Sequence, residues 1–324
     1  MPAFDLVVIG CGGGPNETNL SSYFLKTHDA SWNEGIISIE AGSGLGALER
    51  VLQNNPGLLE SPRSAAEVLS WIRSYLITHA HLDHVSGLVL AAGSLNGPTR
   101  RILSTRDVLK DIQGIFSDRL WPNLASWNSR DPSAPLLYSQ LTISERYAPV
   151  AKDVSVRVMP ISHGQTSTQQ TYDSSAFFVR HDPSSKQLLF FGDVEPDSLS
   201  TKPRTIDVWR VAAPMIPRAL DTIFIECSYP AGRPNEQLYG HLSPEHLAAE
   251  LSALAQEVAK LRNNGTAQVL RGVRVYITHC KDDLAGQYHE PIHLVIATQV
   301  RNLVDQQNLG VEIIAAEQGM QITI

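Results

Sequence analysis

The stretch ITHAHLDHVSGL, residues 77–88, decides the fold and the chemistry that this sequence predicts. It concentrates four side chains of the kind that bind metal ions: His79, His81, Asp83 and His84. The stretch follows an apolar run that predicts a strand, and residues 85–92 predict a helix. Alternate side chains of an extended loop share a side. We therefore expect the first two histidines and the aspartate to point together, with the third histidine directed elsewhere.

The spacing within this stretch provides for two metal ions. His79 and His81 would bind one ion, and Asp83 and His84 would bind the other. Each set is incomplete, since a zinc-type site takes about four nitrogen, oxygen or sulfur ligands. The remaining ligands must come from elsewhere in the chain.

Three residues that each follow an apolar run can supply those ligands: His163, Asp193 and His279. His163 can complete the first site and His279 the second, while the two oxygens of Asp193 can bridge them. Two ions about 3.5–4 Å apart keep a hydroxide at neutral pH and clamp the oxygens of a displacement reaction. We therefore expect a hydrolytic centre. A closed structural zinc site is the alternative, but such sites favour cysteine, and none lies in this spacing.

An alternation of short β-rich runs and helical stretches predicts an α/β fold. The runs rich in Val, Ile, Phe and Tyr are residues 6–9, 36–39, 75–77, 154–159, 176–179, 188–191, 222–225 and 273–277. Five polar residues come just after such runs: His79, His163, Asp193, Glu226 and His279. Because loops at one end of a sheet converge, these side chains should meet at one place.

Two helices and one ambiguous segment complete the predicted elements. The sequence SPE at 243–245 predicts an N-cap, a first-turn proline and an acidic first turn. That helix should run to about Lys260 and stop near residues 263–265. A second helix is predicted over about 291–308. The polar, proline-broken segment 117–150 predicts a long surface loop or lid.

Composition narrows the class of protein. The apolar runs are all shorter than the roughly 20 residues that a membrane span needs. Strand-like residues 6–9 begin too early for a secretory signal to precede them, so we expect a cytoplasmic location. Cys11, Cys227 and Cys280 are too few and too scattered for a disulfide framework. The net charge of −7 argues against a protein whose main task is to wrap nucleic acid.

Several motifs carry a family resemblance. The HxHxDH pattern after a strand resembles that of the metallo-β-lactamase superfamily. The longer run THAHLDHVSGL resembles the class II cyclic nucleotide phosphodiesterases, as do GDVEPD (192–197), ECSYP (226–230), EQLYGHLSP (236–244) and ITHCK (277–281). The resemblance extends from IGCGGGPNE (9–17) through LWPNL (120–124) to NLGVEIIAAEQG (308–319). It implies one catalytic domain over residues 1–324, an αββα sandwich of two mixed sheets flanked by helices.

The resemblance also implies a reaction. The expected activity is hydrolysis of cAMP, cGMP or both to the 5′-nucleotide by a hydroxide that two divalent metal ions hold. Matched residue by residue, the metal ligands are those named above: His79, His81, Asp83, His84, His163, Asp193 and His279. Zinc is the expected metal, and manganese or iron also suits such ligands. A small-molecule substrate, a homodimer and no membrane partner are further expectations.

One position departs from the family pattern. Glu40 stands where the family has Asp. The longer acid either reaches the backbone of the metal-binding loop or fails to seat there.

The departing 3′ oxygen of a cyclic nucleotide needs a proton. His241, in GHLSP, is the candidate donor, and Glu226 would orient it and keep it protonated. The pair resembles a Glu/His dyad of the tRNA 3′-processing nucleases. Asp83 is expected to be a catalytic residue together with His241 and Glu226. The alternative is that His241 only precedes the Ser243 cap and bonds to the backbone.

Other functions fit the sequence less well. A dinucleotide fold fails because Pro15 occupies the last position of GxGxxG and a strand follows where a helix should start, so Gly10 to Gly14 predict a hairpin-like turn. A tRNA-processing nuclease would need a basic arm, and thioester or lactone hydrolases lack the ECSYP and GHLSP pair. A non-catalytic metal-binding protein would lack ligands. Three aromatic residues are candidates for stacking on the base: Trp121, Trp127 and Tyr229.

Overall fold

The computed structural model describes residues 1–263 and 265–324. The chain divides into two compact units. Unit 1 comprises Met1–Val158 and Glu317–Ile324, and unit 2 comprises Met159–Ala316. No helix in the described part of the chain has the length and apolarity that crossing a membrane requires.

The strands of the described residues are β1 Phe4–Gly10, β2 Ser22–Thr27, β3 Ile36–Ile39, β4 Ile72–Leu76, β5 Arg100–Ser104, β6 Ala125–Ser126, β7 Leu136–Gln140, β8 Ala148–Ala151, β9 Val154–Gln165, β10 Thr171–His181, β11 Gln187–Phe191, β12 Leu220–Glu226, β13 Arg274–Thr278, β14 Glu312–Ala315 and β15 Gln321–Thr323. The α-helices are α1 Leu45–Asn54, α2 Ala65–Trp71, α3 Leu82–Ala91, α4 Arg106–Ile115, α5 Thr205–Ala212, α6 Pro244–Arg262 and α7 Ile292–Gln306.

The sheet of unit 1 is mixed. Its strand order is β15-β1-β2-β3-β4-β5-β7-β6. The pairs from β15 to β3 are antiparallel, and β3, β4, β5 and β7 are parallel to one another. Each of the four helices α1 to α4 contributes a buried residue to one apolar cluster, namely Leu48, Val68, Leu88 and Ile112. These helices therefore cover one face of the sheet.

The last residues of the chain close the first edge of that sheet. Strand β15 pairs with β1 through Ile322 and Leu6. Just before it, the Gln318 side chain donates hydrogen bonds to the backbone carbonyls of Ile9 and Thr18. The C-terminal segment is thus part of unit 1, although about 160 residues separate it from the rest of that unit in sequence.

The second sheet has the order β14-β13-β12-β11-β10-β9-β8, and strand β9 runs through the boundary at Val158. Strands β11 to β14 are parallel to one another, whereas β10 and β11 are antiparallel. Phe190, Phe224 and Tyr276 stack across three neighbouring strands of unit 2, with ring centroids 5.8 and 4.9 Å apart. The buried Trp209 of α5 packs 4.9 Å from Phe191, which seats the helix on the sheet.

The predicted elements largely agree with the structure. Each of the eight predicted runs overlaps a strand, and residues 36–39 coincide with β3. The helices predicted over 244–260 and 291–308 correspond to α6 and α7. The predicted stop near 263–265 includes residue 264, which lies outside the described residues. Strands β1 and β2 pair as antiparallel neighbours across the glycine-rich loop, as the hairpin interpretation requires.

The prediction for segment 117–150 is wrong in part. Strand β7 lies within it and pairs in parallel with β5, and the side chains of Leu136 and Tyr138 are buried in the core of unit 1. A five-residue strand flanked by prolines and polar residues leaves a weak pattern, because only alternate side chains face the core. The segment is therefore a part of the sheet as well as a surface loop.

Candidate metal centre

The histidine-rich stretch follows two parallel strands of unit 1. Strands β3 and β4 pair in register at Ile39 and Leu76, and both end at the same edge of the sheet. Glu40 comes directly after β3, and His79 follows β4 by three residues. Because the two neighbouring strands end at the same edge, Glu40 and His79 are brought to the same side of the sheet.

Helix α3 starts earlier than the sequence predicted. Helix α3 begins at Leu82 with His81 as its N-cap, so Asp83 and His84 lie in its first turn and not in an extended loop. One helical turn brings the His84 ring to 4.2 Å from the His79 ring, closer than the 4.6 Å between His79 and His81. The acidic first turn, which favours a helix N-terminus, is the signal that could have shown the earlier start. The rings of all three histidines of the motif therefore lie close together.

Glu40 contacts His84 and the backbone N–H of Thr78, the residue before His79. The side chain is fully buried, and its Oε1 accepts a hydrogen bond from the Thr78 backbone N–H at 3.1 Å. Its Oε2 lies 3.3 Å from Nδ1 of His84. The pKa of Glu40 is raised, because the effect of burial is larger than the opposing effects of His84 and Thr78. Of the two alternatives for the longer acid, the structure has the one in which it reaches the metal-binding loop.

Three parallel strands of unit 2 each carry a polar residue at the same end. Strands β11, β12 and β13 are neighbours, and Asp193, Glu226 and His279 lie at or just past their last residues. All three side chains are buried. The predicted convergence within this unit is confirmed.

His163 reaches the same cluster from inside a strand. It lies within β9, and not after it as predicted, and its Nδ1 lies 2.8 Å from the Gly240 carbonyl oxygen. The backbones cross closely here, since a Cβ on Gly240 would lie 2.9 Å from the Cα of Gly164. Only glycine at both positions allows this approach. The crossing brings His163 and His241 together, with ring centroids 4.8 Å apart.

Asp193 lies at the centre of the unit 2 cluster. Its Oδ2 is 3.6 Å from Nε2 of His163 and 3.3 Å from Nε2 of His279. Potential ligand atoms of His163, Asp193, Glu226 and His241 all lie within 4.8 Å of one another. Buried imidazole nitrogens and carboxylate oxygens at this spacing are the donor set that divalent ions of the zinc type accept. The described residues therefore fit a divalent metal ion.

Ser228 orients one of these imidazoles. Its Oγ lies 2.7 Å from Glu226 Oε2 and 3.0 Å from His279 Nδ1. If the serine donates to the carboxylate, it accepts from Nδ1–H of His279, which leaves Nε2 on the side of Asp193. A hydrogen bond that fixes one ring nitrogen in this way sets which nitrogen can bind a metal ion. The sequence analysis missed Ser228, although ECSYP places it on the same side of the strand end as Glu226.

Glu226 and His241 form the predicted pair. The Glu226 Oε1 atom lies 2.8 Å from Nδ1 of His241 and also accepts the Val194 N–H at 2.9 Å. Burial, and after it the neighbouring Asp193 carboxylate, raises the pKa of Glu226. His241 bonds to a carboxylate side chain through Nδ1, so the alternative that it bonds only to backbone is wrong.

The three aromatic candidates lie in different surroundings. Trp127 packs on Tyr138 in unit 1 at 4.9 Å, and Trp121 packs against the apolar cluster of that unit. Tyr229 lies edge-on to His241 in unit 2, with ring centroids 6.0 Å apart. Of the three, Tyr229 is therefore the one that lies beside a predicted catalytic residue.

Comparison with known proteins identifies the family. A family model described as cAMP phosphodiesterases class-II matches residues 55–319. The chain belongs to this family. The predicted resemblance is thus confirmed over most of the chain.

Curated relatives and a solved structure agree with the membership. This class II family member is 34% identical over 275 residues to a 3′,5′-cyclic-nucleotide phosphodiesterase of Schizosaccharomyces pombe. The matched region covers 78% of this chain and 75% of the relative. It is 29% identical over 370 residues to 3′,5′-cyclic-nucleotide phosphodiesterase 1 of Saccharomyces cerevisiae, over 96% of each chain. The crystal structure of unliganded yeast PDE1 matches all of both chains with a TM-score of 0.86 and 25% identity.

The wider structural neighbours confirm the fold class. A metallo-β-lactamase fold protein of Bacillus subtilis matches with a TM-score of 0.58 and 14% identity over 99% of both chains. Human tRNase Z, short form, matches with a TM-score of 0.55 and the same identity over 98% of both chains. At such identities the likeness extends to the fold alone. The predicted α/β class with two mixed sheets and helices is confirmed.

Proposed function

We propose that this protein hydrolyses the 3′,5′-cyclic phosphodiester of cAMP, cGMP or both to the 5′-nucleotide. The observation that carries the proposal is the class II family match over residues 55–319, together with relatives that bear this activity in their names. The whole chain, residues 1–324, would act as one catalytic domain. The buried acid and imidazole groups at the strand ends of each unit are the chemical support for this activity.

The proposed metal ligands are the seven residues that the sequence predicted: His79, His81, Asp83, His84, His163, Asp193 and His279. Support comes from the clustered imidazoles of unit 1 and from the donor set around Asp193 in unit 2. We propose two zinc ions, which would supply a hydroxide nucleophile and positive charge against the phosphoryl oxygens. Manganese or iron would suit the same ligands. Asp83 would be a catalytic residue through its place in this set.

His241 would protonate the leaving 3′ oxygen. Its Nδ1 is engaged by Glu226, so the proton that it transfers is the one at Nε2. Glu226 would hold the ring in place and stabilise its charged form, because the carboxylate accepts the Nδ1–H bond. As the bond between phosphorus and the 3′ oxygen breaks, the proton passes to that oxygen and leaves a free 3′-hydroxyl. The 5′ ester bond stays intact.

Two other functions remain as alternatives to this proposal. A tRNA 3′-processing type of nuclease would share the dyad and the fold, but the net charge of −7 offers RNA little attraction. A non-catalytic metal-binding protein would have no need for the Glu226 and His241 pair. A cytoplasmic location, a homodimer and the absence of nucleic-acid and membrane partners belong to the proposal as expectations.

Product analysis tests the proposal directly. Purified protein loaded with zinc should convert cAMP or cGMP to the 5′-nucleotide, and chelation should abolish that turnover. His241→Ala should lower kcat by roughly 100- to 10,000-fold while metal content is retained. His289→Ala, at an exposed position, serves as the control. A metal-loaded protein that cleaves an aryl phosphodiester but neither cyclic nucleotide, or that releases the 3′-nucleotide, would contradict the proposal.

A further inference from the structure

A small cavity in unit 2 is lined in part by Tyr229, whose ring lies 6.0 Å from that of His241. It measures about 250 Å³, and the side chains that matter here are Tyr229, Arg233, Tyr288 and Ile292 with the charged residues Lys281, Asp282 and Asp283. Pockets for drug-sized ligands run to about 300–1,000 Å³, so this one suits a fragment the size of a single ring system. None of its residues belongs to the proposed metal ligands or to the proton-donating pair.

One wall of this cavity is a flat, two-layered surface. The guanidinium carbon of Arg233 lies 3.9 Å from the centre of the Tyr229 ring. Its Nε donates to the Gln237 carbonyl oxygen at 2.7 Å, which fixes the position of the guanidinium over the ring. A stacked aromatic ring and guanidinium together offer the kind of surface on which nucleobases stack.

The loop that carries this wall is held in place before any ligand binds. The Ala231 N–H donates to Gln299 of α7 at 2.9 Å, and the Gly232 N–H donates to Glu245 of α6 at 3.0 Å. On the other side, the Lys281 N–H donates to the Ser228 carbonyl oxygen at 2.9 Å. A pre-organised wall costs a ligand little ordering entropy.

The charges of the cavity suit an uncharged ligand group. Arg233 and Lys281 are balanced by Asp282 and Asp283, so a second phosphate would gain little from binding there. The charged side chains thus line the cavity without giving it a large net charge. An uncharged, planar, polar group such as a purine base matches both the shape and the chemistry.

We infer that this cavity is the subsite for the purine base of the nucleotide, with the Tyr229 and Arg233 stack as its wall. The inference rests on the proposed function, because it takes His241 as the donor to the 3′ oxygen. The base of a cyclic nucleotide is one ribose away from that oxygen. The ring of Tyr229 lies 6.0 Å from that of His241. A nucleotide whose 3′ oxygen meets His241 would therefore have its base near Tyr229.

A comparison of three substrates separates base recognition from chemistry. We would compare cAMP, cGMP and bis(4-nitrophenyl) phosphate, a diester without a base, on the zinc-loaded full-length enzyme. Tyr229→Leu and Arg233→Gln should raise KM for the cyclic nucleotides by roughly 5- to 100-fold. The ratio of kcat/KM for the cyclic nucleotide to that for the aryl diester should fall by a similar factor. Tyr229→Phe keeps the ring and should restore most of the ratio, and Arg210→Gln, on the exposed face of α5, is the matched control.

A binding measurement tests the inference independently of how the variants affect turnover. The affinity of 5′-AMP relative to ribose 5-phosphate gives the contribution of the base alone, by calorimetry. That ratio should fall in Tyr229→Leu and Arg233→Gln. An unchanged ratio, or equal loss of activity toward all three substrates, would overturn the inference. Wild-type protein that cleaves only the aryl diester would instead contradict the proposed function.

Discussion

The carboxylate of Glu40 joins the ends of two neighbouring strands, since Oε2 lies 3.3 Å from His84 Nδ1 while Oε1 accepts the Thr78 N–H. His79 is the next residue after that N–H. One buried acid therefore positions two of the three clustered imidazoles in unit 1.

Replacing Glu40 should weaken both the fold and the metal site. Glu40→Ala leaves the buried Thr78 N–H without its acceptor, which costs about 1–3 kcal/mol of unfolding free energy. Loss of the partner to His84 should lower metal affinity by roughly 10- to 100-fold. Urea unfolding and metal content after dialysis measure the two effects.

The control for this change is Glu49→Ala, an exposed glutamate on α1 of the same unit. Glu40→Asp is the informative variant, because it keeps the charge but shortens the reach. It should retain part of the stability and lose part of the metal affinity. If Glu40→Asp and Glu40→Ala both bind metal as the wild type does, the carboxylate has no role in positioning His84.

Ser228 should influence metal binding without being a ligand. Ser228→Ala removes the contact to His279 Nδ1 and leaves Glu226 with one donor fewer. We expect metal affinity to fall by roughly 10- to 100-fold, because the His279 ring is no longer held in one tautomer. Titration of the apo protein with zinc measures the effect. Ser198→Ala, at an exposed position in the same unit, should bind zinc normally, and equal affinities in the two variants would refute the role.

The crossing of Gly164 and Gly240 allows a matched pair of variants. Gly240 and Gly232 both have φ of +83°, but a Cβ on Gly240 would lie 2.9 Å from Gly164, whereas one on Gly232 meets nothing within 4 Å. Gly232→Ala should cost about 1–2 kcal/mol from backbone strain alone. Gly240→Ala should cost about 1–3 kcal/mol more from the clash and should displace His163 and His241. Equal unfolding free energies would show that the clash is relieved without consequence.

A pH dependence is expected at Asp5 in unit 1. Burial opposes ionisation of Asp5, but the hydrogen bonds and charges of Lys26 and His28 outweigh it and lower its pKa below 3.8. The folded state therefore gains stability from this aspartate above its unfolded pKa and loses that stability as pH falls through the folded pKa. Asp5→Asn should cost about 1–3 kcal/mol at pH 7 and progressively less below about pH 4. Asp29→Asn, at an exposed position, is the control; a constant difference between pH 7 and pH 3 would contradict the assignment.

The strands and residue types of the site could be predicted from the sequence because both depend on local patterns. Apolar runs such as residues 188–191 and 222–225 mark buried parallel strands, and the polar residue after each run marks the shared edge. Cys11, Cys227 and Cys280 are buried and form no disulfide with one another, as the scattered spacing predicted. Strand β7 escaped this reasoning because a short strand with alternating burial leaves little signal.

The supporting contacts could not be predicted because they join residues that are distant in sequence. The bond from His163 to Gly240 spans 77 positions, and that from Thr78 to Glu40 spans 38. No local pattern marks a glycine for close backbone approach as distinct from a turn. The ligands are therefore visible in the sequence, while the residues that orient them emerge only from the three-dimensional arrangement.

The pairing of β15 with β1 affects the order in which the protein can fold during synthesis. Residues 4–10 are synthesised before their edge partner, residues 321–323, and about 310 residues lie between the two strands. At about 5–20 residues per second, the outer edge of β1 stays open for tens of seconds. Unit 2 is a continuous stretch and is fully synthesised before unit 1 receives its last strand. An open edge of this kind invites pairing with other chains, so the yield of active protein should depend on chaperones and on translation speed as much as on the stability of the finished fold.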